Sequence, residues 1–156
     1  MFLRILNKLR RESYKLFRPI LWGRSLQING IPTIGNIKRL ELGYDVSLNS
    51  DCYIQCVGGG EIDNCVTISH GVKILTSGLD TSDYPNKCIC KNREHIQAPV
   101  HIGEGVWLCA GSMVMPGVTI APKIIVAAGS VVTKNLDREG WLYAGIPAKP
   151  IKSFLK

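Results

Sequence analysis

Several features that would settle the class of this chain are missing. No apolar run reaches the roughly 20 residues that a helix needs to cross a bilayer, which excludes a helical membrane span. The opening residues lack the uncharged apolar stretch and small-residue cleavage site of a secretory leader, so the expected compartment is the cytoplasm. The six cysteines, Cys52, Cys56, Cys65, Cys88, Cys90 and Cys109, fit no disulfide framework. Cys88 and Cys90 form a C-x-C with no second pair at zinc-finger spacing, and the expectation is reduced thiols and no metal. Four of the six fall inside repeats, where cysteine serves as a small hydrophobe.

Acidic residues are nearly absent from the first 24 positions. There Arg4, Lys8, Arg10, Arg11, Lys15, Arg18 and Arg24 face Glu12 alone, so all but one of the chain's net +7 lies in this segment. The body is therefore close to neutral, and nothing in it aims side chains at bases, which argues against a nucleic-acid partner. Wound as a helix, residues 1–24 place Phe2, Leu6, Leu9, Leu16 and Ile20 on one side and Arg4, Lys8, Arg11, Lys15 and Arg18 on the other. Such an arm either lies in an anionic membrane interface, making the protein membrane-peripheral, or packs its apolar side over the first turn of the fold.

What is present from residue 25 to residue 156 is a beat of six. Aliphatics fall at Leu42, Leu48 and Ile54, then, after a two-residue slip through Gly58, Gly59 and Gly60, at Ile62, Ile68 and Ile74. The beat resumes at Ile102, Leu108, Val114, Ile120, Val126 and Val132, and Ile28 and Ile34 are earlier members. A helix repeats its apolar residues at three and four and a plain strand at two, so a period of six belongs to neither. A short strand and a turn repeated every six residues puts each aliphatic at the same inward position. Three units close one triangular coil, and coils stack through parallel strand pairing. The expected fold is all-β, a parallel β-helix of hexapeptide repeats interrupted by one extruded loop, residues 76–99, and ending in a C-terminal tail.

Three stretches carry a family resemblance: "VHIGEGVWLCAGSMVMPGVTI", "IVAAGSVVTKNL" and "WLYAGIPAKPIK". Over about residues 28–152 the chain resembles the hexapeptide-repeat acyltransferases, and within them the sugar and polysaccharide O-acetyltransferases related to galactoside and maltose acetyltransferases. The resemblance implies a left-handed β-helix, a homotrimer, and acetyl-CoA lying in a groove between neighbouring subunits. Positions matching the family's cofactor contacts are Trp107, Ala110, Ala128, Thr133, Lys134 and Lys149. The small alanines admit the pantetheine arm, and the lysines suit its phosphates or adenine end.

Moving acetyl from a thioester to a hydroxyl requires a base near neutral pH and a donor for the oxyanion. Related enzymes place a catalytic histidine early in the extruded loop, after a glycine. Here that position, following Gly78, is Leu79, which takes no proton. His95, on the same loop, is the first candidate to replace it; His70, on the coil before the loop, is the second; His101 trails both. Asp80, Asp83 and Glu94 are candidates to orient an imidazole, and Asp80 and Asp83, with Thr76, Ser77, Thr81, Ser82 and Asn86, to line a polar acceptor cleft. The expected function is an acetyl-CoA-dependent O-acetyltransferase acting on a sugar or surface-polysaccharide precursor. The alternatives are N-acetylation of an amino sugar, acetylation of an antibiotic, and a non-catalytic β-helix scaffold that has lost its base at Leu79.

Overall fold

The computed structural model describes residues 25–82, 84–87 and 93–155. The basic arm, Asp83, Cys88 and Cys90 lie outside the described residues. The rest is a parallel β-solenoid of about six turns.

Three sheets form the walls of the prism. Wall A holds β1 (Gln27–Ile28), β4 (Ser47–Leu48), β7 (Thr67–Ile68), β12 (Trp107–Leu108), β15 (Ile125–Val126) and β17 (Trp141–Ala144). Wall B holds β2 (Thr33–Gly35), β5 (Tyr53–Gln55), β8 (Lys73–Ile74), β13 (Met113–Val114) and β16 (Val131–Val132). Wall C holds β3 (Leu40–Leu42), β6 (Gly60–Ile62), β11 (Val100–Ile102) and β14 (Thr119–Ile120). The chain visits A, B and C in turn, and a last strand, β18 (Lys149–Ser153), folds back antiparallel onto β17.

The register stacks the aliphatic beat into columns. On wall A, Ile28, Leu48, Ile68, Leu108 and Val126 pair in succession and end on Tyr143. On wall B the column is Ile34, Ile54, Ile74, Val114 and Val132. On wall C it is Leu42, Ile62, Ile102 and Ile120, with Leu136 bridged to Ile120 at the end. A second inward column runs two residues earlier, through Val46, Val66, Val106 and Ile124 on wall A and Leu40, Val100 and Val118 on wall C, all buried. Two inward residues per six make the core dense, and each fully buried aliphatic stabilises by roughly 1.5–3 kcal/mol.

The corners depart from a simple glycine rule. At the C–A edge Asp45, Cys65, Gly105 and Lys123 all sit in the left-handed region, with φ between 55 and 67°. Only one of the four is glycine; all four are exposed, and the other three bear the modest strain of the left-handed region. Cys65 is thus an exposed corner residue rather than the small core hydrophobe expected of it, whereas Cys52 and Cys56 are buried.

The B–C edge differs from the other two. Leu136 and Val132 are four apart and Val114 and Ile120 six, but the first two coils take eight, from Ile34 to Leu42 and from Ile54 to Ile62. In the first coil the extra residues make a 3-10 turn, Ile37–Arg39; in the second they are the glycine run. In the third coil the same corner swells into the extruded loop. That loop is an arm, built from β9 (Ser77–Leu79) and β10 (His95–Gln97) as an antiparallel ribbon with a short helix, α1 (Tyr84–Lys87), between them.

Candidate active site

The ribbon pairing determines where the arm's histidine stands. His95 is directly opposite Leu79, Ile96 opposite Gly78, and Gln97 opposite Ser77. Directly opposed residues of an antiparallel pair project to the same side, with Cβ atoms about 4.5–5.5 Å apart. The His95 imidazole therefore leaves the ribbon beside Leu79, the position where related enzymes carry histidine. It is exposed, and among the described residues no hydrogen bond or ion pair holds its ring.

The arm's root is fastened to the solenoid by directional hydrogen bonds. Gln55 Oε1, at the end of β5, accepts from the backbone N–H of Thr76 (3.1 Å) and of Ser77 (3.0 Å). Thr76 is fully buried; its hydroxyl accepts from Gly58 N–H at 2.9 Å and its carbonyl from Ala98 N–H at 3.0 Å. Arg39 donates to the Val57 carbonyl and reaches Gln97 Oε1 at 3.5 Å. Beyond the root, Ser82 occupies both oxygens of Asp80, through its N–H and its hydroxyl, each at 2.9 Å. Asp80 thus shapes its own turn.

His70 stands on a different edge. Ser50, His70, Ala110 and Ala128 occupy equivalent A–B corners of successive coils: Gly71 N–H donates to Ser50, Gly111 N–H to His70 and Gly129 N–H to Ala110. His70 Nδ1 lies 2.9 Å from Ser50 Oγ and 3.4 Å from Asp51 Oδ2. A tautomer with the proton on Nδ1 serves both acceptors and leaves the Nε2 lone pair facing out. Serine and aspartate both meet the same ring nitrogen, so this is no nucleophile–base–acid relay, which needs its partners on opposite nitrogens. Trp107, on the adjoining wall A, is exposed and donates from Nε1 to Ser69 Oγ at 3.0 Å.

The six cofactor candidates divide between edges. Ala110 and Ala128 stack on the A–B edge next to Trp107, whereas Thr133 and Lys134 follow β16 at the far side of wall B, and Lys149 opens β18. Ala148 N–H donates to Val131 O at 2.8 Å, which holds the start of β18 against wall B. Within one protomer the arm and the A–B edge are separated by the width of wall B. Cys109, beside Ala110, is part-buried, and that burial raises its thiol pKa, which disfavours the thiolate an acyl-cysteine route requires.

His101 belongs to wall C. Its Nε2 lies 3.1 Å from Asp63 Oδ2, and Glu61 joins them in a group whose ligand atoms all lie within 4.8 Å of one another. These three have the donor types to hold a cation, and they lie on wall C, across the prism from the A–B edge. Gly58 was read only as part of a slip in the repeat, and Gln55, Ser50 and Asp51 were not picked out from sequence. The signal for the last two was a coil step of 20 residues, from Leu48 to Ile68, which puts Ser50 under His70. No helix among the described residues is long and apolar enough to cross a membrane.

Comparison with known proteins bears on the family and the fold. Residues 99–134 match the family model for the bacterial transferase hexapeptide, six repeats. A Staphylococcus aureus protein named as an acetyltransferase is 35% identical over 114 residues, covering 72% of this chain and 54% of that protein. The galactoside O-acetyltransferase of Escherichia coli is 34% identical over 92 residues, covering 58% of this chain and 45% of that protein. The chain thus spans about half the length of the relatives it matches. Among solved structures, a hexapeptide-repeat acetyltransferase of Vibrio cholerae complexed with acetyl-CoA superposes with a TM-score of 0.73 at 20% identity, over 94% of this chain and 79% of that one, a likeness of fold. With its six-residue beat stacked into a three-walled solenoid, its arm at the B–C corner and these relatives, the chain belongs to the hexapeptide-repeat acetyltransferases.

Proposed function

We propose that the chain is an acetyl-CoA-dependent O-acetyltransferase that acts on a hydroxyl of a sugar or surface-polysaccharide precursor, with His95 as general base. The pairing of His95 with Leu79 carries this reading. An imidazole offered from β10 reaches the space that a histidine on β9 would fill, so loss of the base on one strand is made good from the other.

In the step, His95 takes the acceptor hydroxyl's proton as the oxygen attacks the thioester carbonyl. The tetrahedral intermediate collapses with cleavage of the C–S bond, and the imidazolium returns the proton to the CoA thiolate. Ala110 and Ala128 leave room at the A–B edge for pantetheine, Trp107 flanks it, Thr133 offers a hydroxyl, and Lys134 and Lys149 meet phosphate. Because arm and A–B edge stand on different sides of wall B, the reading requires the arm of one copy to meet the A–B edge of another, as in a homotrimer; sedimentation at assay concentrations tests this.

A second reading is favoured by the contacts of His70. Ser50 and Asp51 hold its Nδ1, which is how an enzyme orients an imidazole to act through Nε2. His95→Ala and His70→Ala, assayed for CoA release from acetyl-CoA with galactosides and maltose as acceptors, separate the two. The expected result is a fall in kcat of about 10²–10⁴-fold for His95→Ala and less than about tenfold for His70→Ala. The reverse order hands the base to His70. If wild-type protein neither releases CoA nor gains thermal stability from it, the chain is a scaffold and the enzyme reading fails.

A further inference from the structure

We propose that Gln55 is the positioning residue of the arm, setting the angle at which β9 and β10 leave the solenoid. The inference rests on the arm being part of the active site, and its test separates the two claims.

Gln55 ends β5 in the second coil, one strand below β8, from which the arm departs. Its side chain reaches up and receives two consecutive backbone N–H groups, Thr76 and Ser77. Both bonds go to a single acceptor, so the orientation of the amide is settled: the oxygen must face the arm, since the NH2 end has nothing to accept with. Two adjacent N–H groups converging on one oxygen fix both the position and the direction of the chain as it leaves the wall. One such bond would leave a pivot; two remove it.

The surroundings carry the same constraint. Thr76 closes over Gly58, whose N–H donates to the Thr76 hydroxyl. A Cβ on Gly58 would lie 2.3 Å from the Thr76 carbonyl oxygen and 2.8 Å from Ala98 N, so the root of the arm occupies the space of the missing side chain. The glycine run that looked like a slip in the repeat is the seat on which both strands of the arm rest. Past this seat the two strands contribute little burial: every residue of β10 is exposed, and β9 is only part-buried. His95 stands on β10 only two residues before Gln97, the partner of Ser77, so a change at the root is carried directly to it. Displacement of a catalytic group by about 1 Å costs on the order of 10²-fold in rate.

The chemistry of the seat predicts which replacements work. Glutamate keeps an oxygen acceptor at the same reach and bonds N–H groups at least as strongly. Methionine keeps the length and loses the acceptor. The experiment compares Gln55→Met and Gln55→Glu in the full chain by hydrogen exchange over residues 76–97 and by kcat and KM for acetyl-CoA. Gln55→Met should speed exchange at Thr76 and Ser77 by about tenfold. It should lower kcat by about 10²-fold while KM for acetyl-CoA stays within about threefold, since neither Gln55 nor the residues it holds are among those assigned to the cofactor. Gln55→Glu should restore both. Unchanged exchange in Gln55→Met overturns the proposal. Faster exchange with unchanged turnover upholds the anchor and overturns the assignment of the arm to the active site.

Discussion

The fourth coil and the third obey the same repeat and do opposite things with it. In the fourth, Leu108, Val114 and Ile120 follow one another at six, and every corner is tight. In the third, Ile68 and Ile74 keep the step, then the chain leaves for 25 residues, Leu75–Pro99, before Val100 re-enters wall C. The fourth coil is held by burial on three walls. Among the described residues of the arm past Thr76 none is buried, and its base is held by directional bonds. Burial tolerates many sequences provided they are apolar and of the right size, whereas a two-bond seat depends on particular atoms. Stability and activity should therefore separate by region.

The largest effect should come from the fourth coil. Val114 is fully buried between Ile74 and Val132, and Val114→Asp places a carboxylate inside the aliphatic column. A loss of at least about 4 kcal/mol is expected, seen as collapse of the cooperative transition in chemical denaturation. A Val114→Asp protein that unfolds like wild type would mean that the coils do not stack as described.

Two glycine substitutions sharpen the contrast further. Gly58→Ala forces a Cβ against Thr76 and Ala98, and should cost about 1–3 kcal/mol by overpacking, with faster proteolysis of the arm than of the solenoid. Gly129→Ala meets nothing within 4 Å, yet its φ is 67°. Its cost should be confined to left-handed backbone strain, about 1–2 kcal/mol, and the arm's protease sensitivity should not change. If both variants loosen the arm equally, the seat is not local to Gly58.

Much of the wall structure was legible from residue spacing. The six-residue beat placed Ile62, Ile68 and Ile74, and Ile102 through Val132, in the columns they occupy, because an inward position in a solenoid recurs at a fixed step. The second inward column was not read. Val46, Val66 and Val106 stand two residues before the beat, and their pattern was overshadowed by the stronger one. The corners were read only in part. Glycine flags a left-handed turn, but Asp45, Asp51, Cys65 and Lys123 make the same turn without it.

The candidate site was less legible still. That His95 belongs to the excursion could be seen; that it faces Leu79 could not, since antiparallel register within an arm depends on where the intervening turn falls. Nor could Gln55 be picked out, because a glutamine at the end of a strand looks the same whether it faces solvent or two amides of the next coil.

Local chemistry was enough to set the period, the walls and the near-neutral body, since each depends on residues a fixed distance apart along one chain. Which imidazole stands beside Leu79, which is gripped by Ser50 and Asp51, and which glycine must stay bare were matters of contact between coils. Residues brought together by stacking are neighbours only after the solenoid has closed, and their pairing is carried by the register of whole strands, not by any short motif.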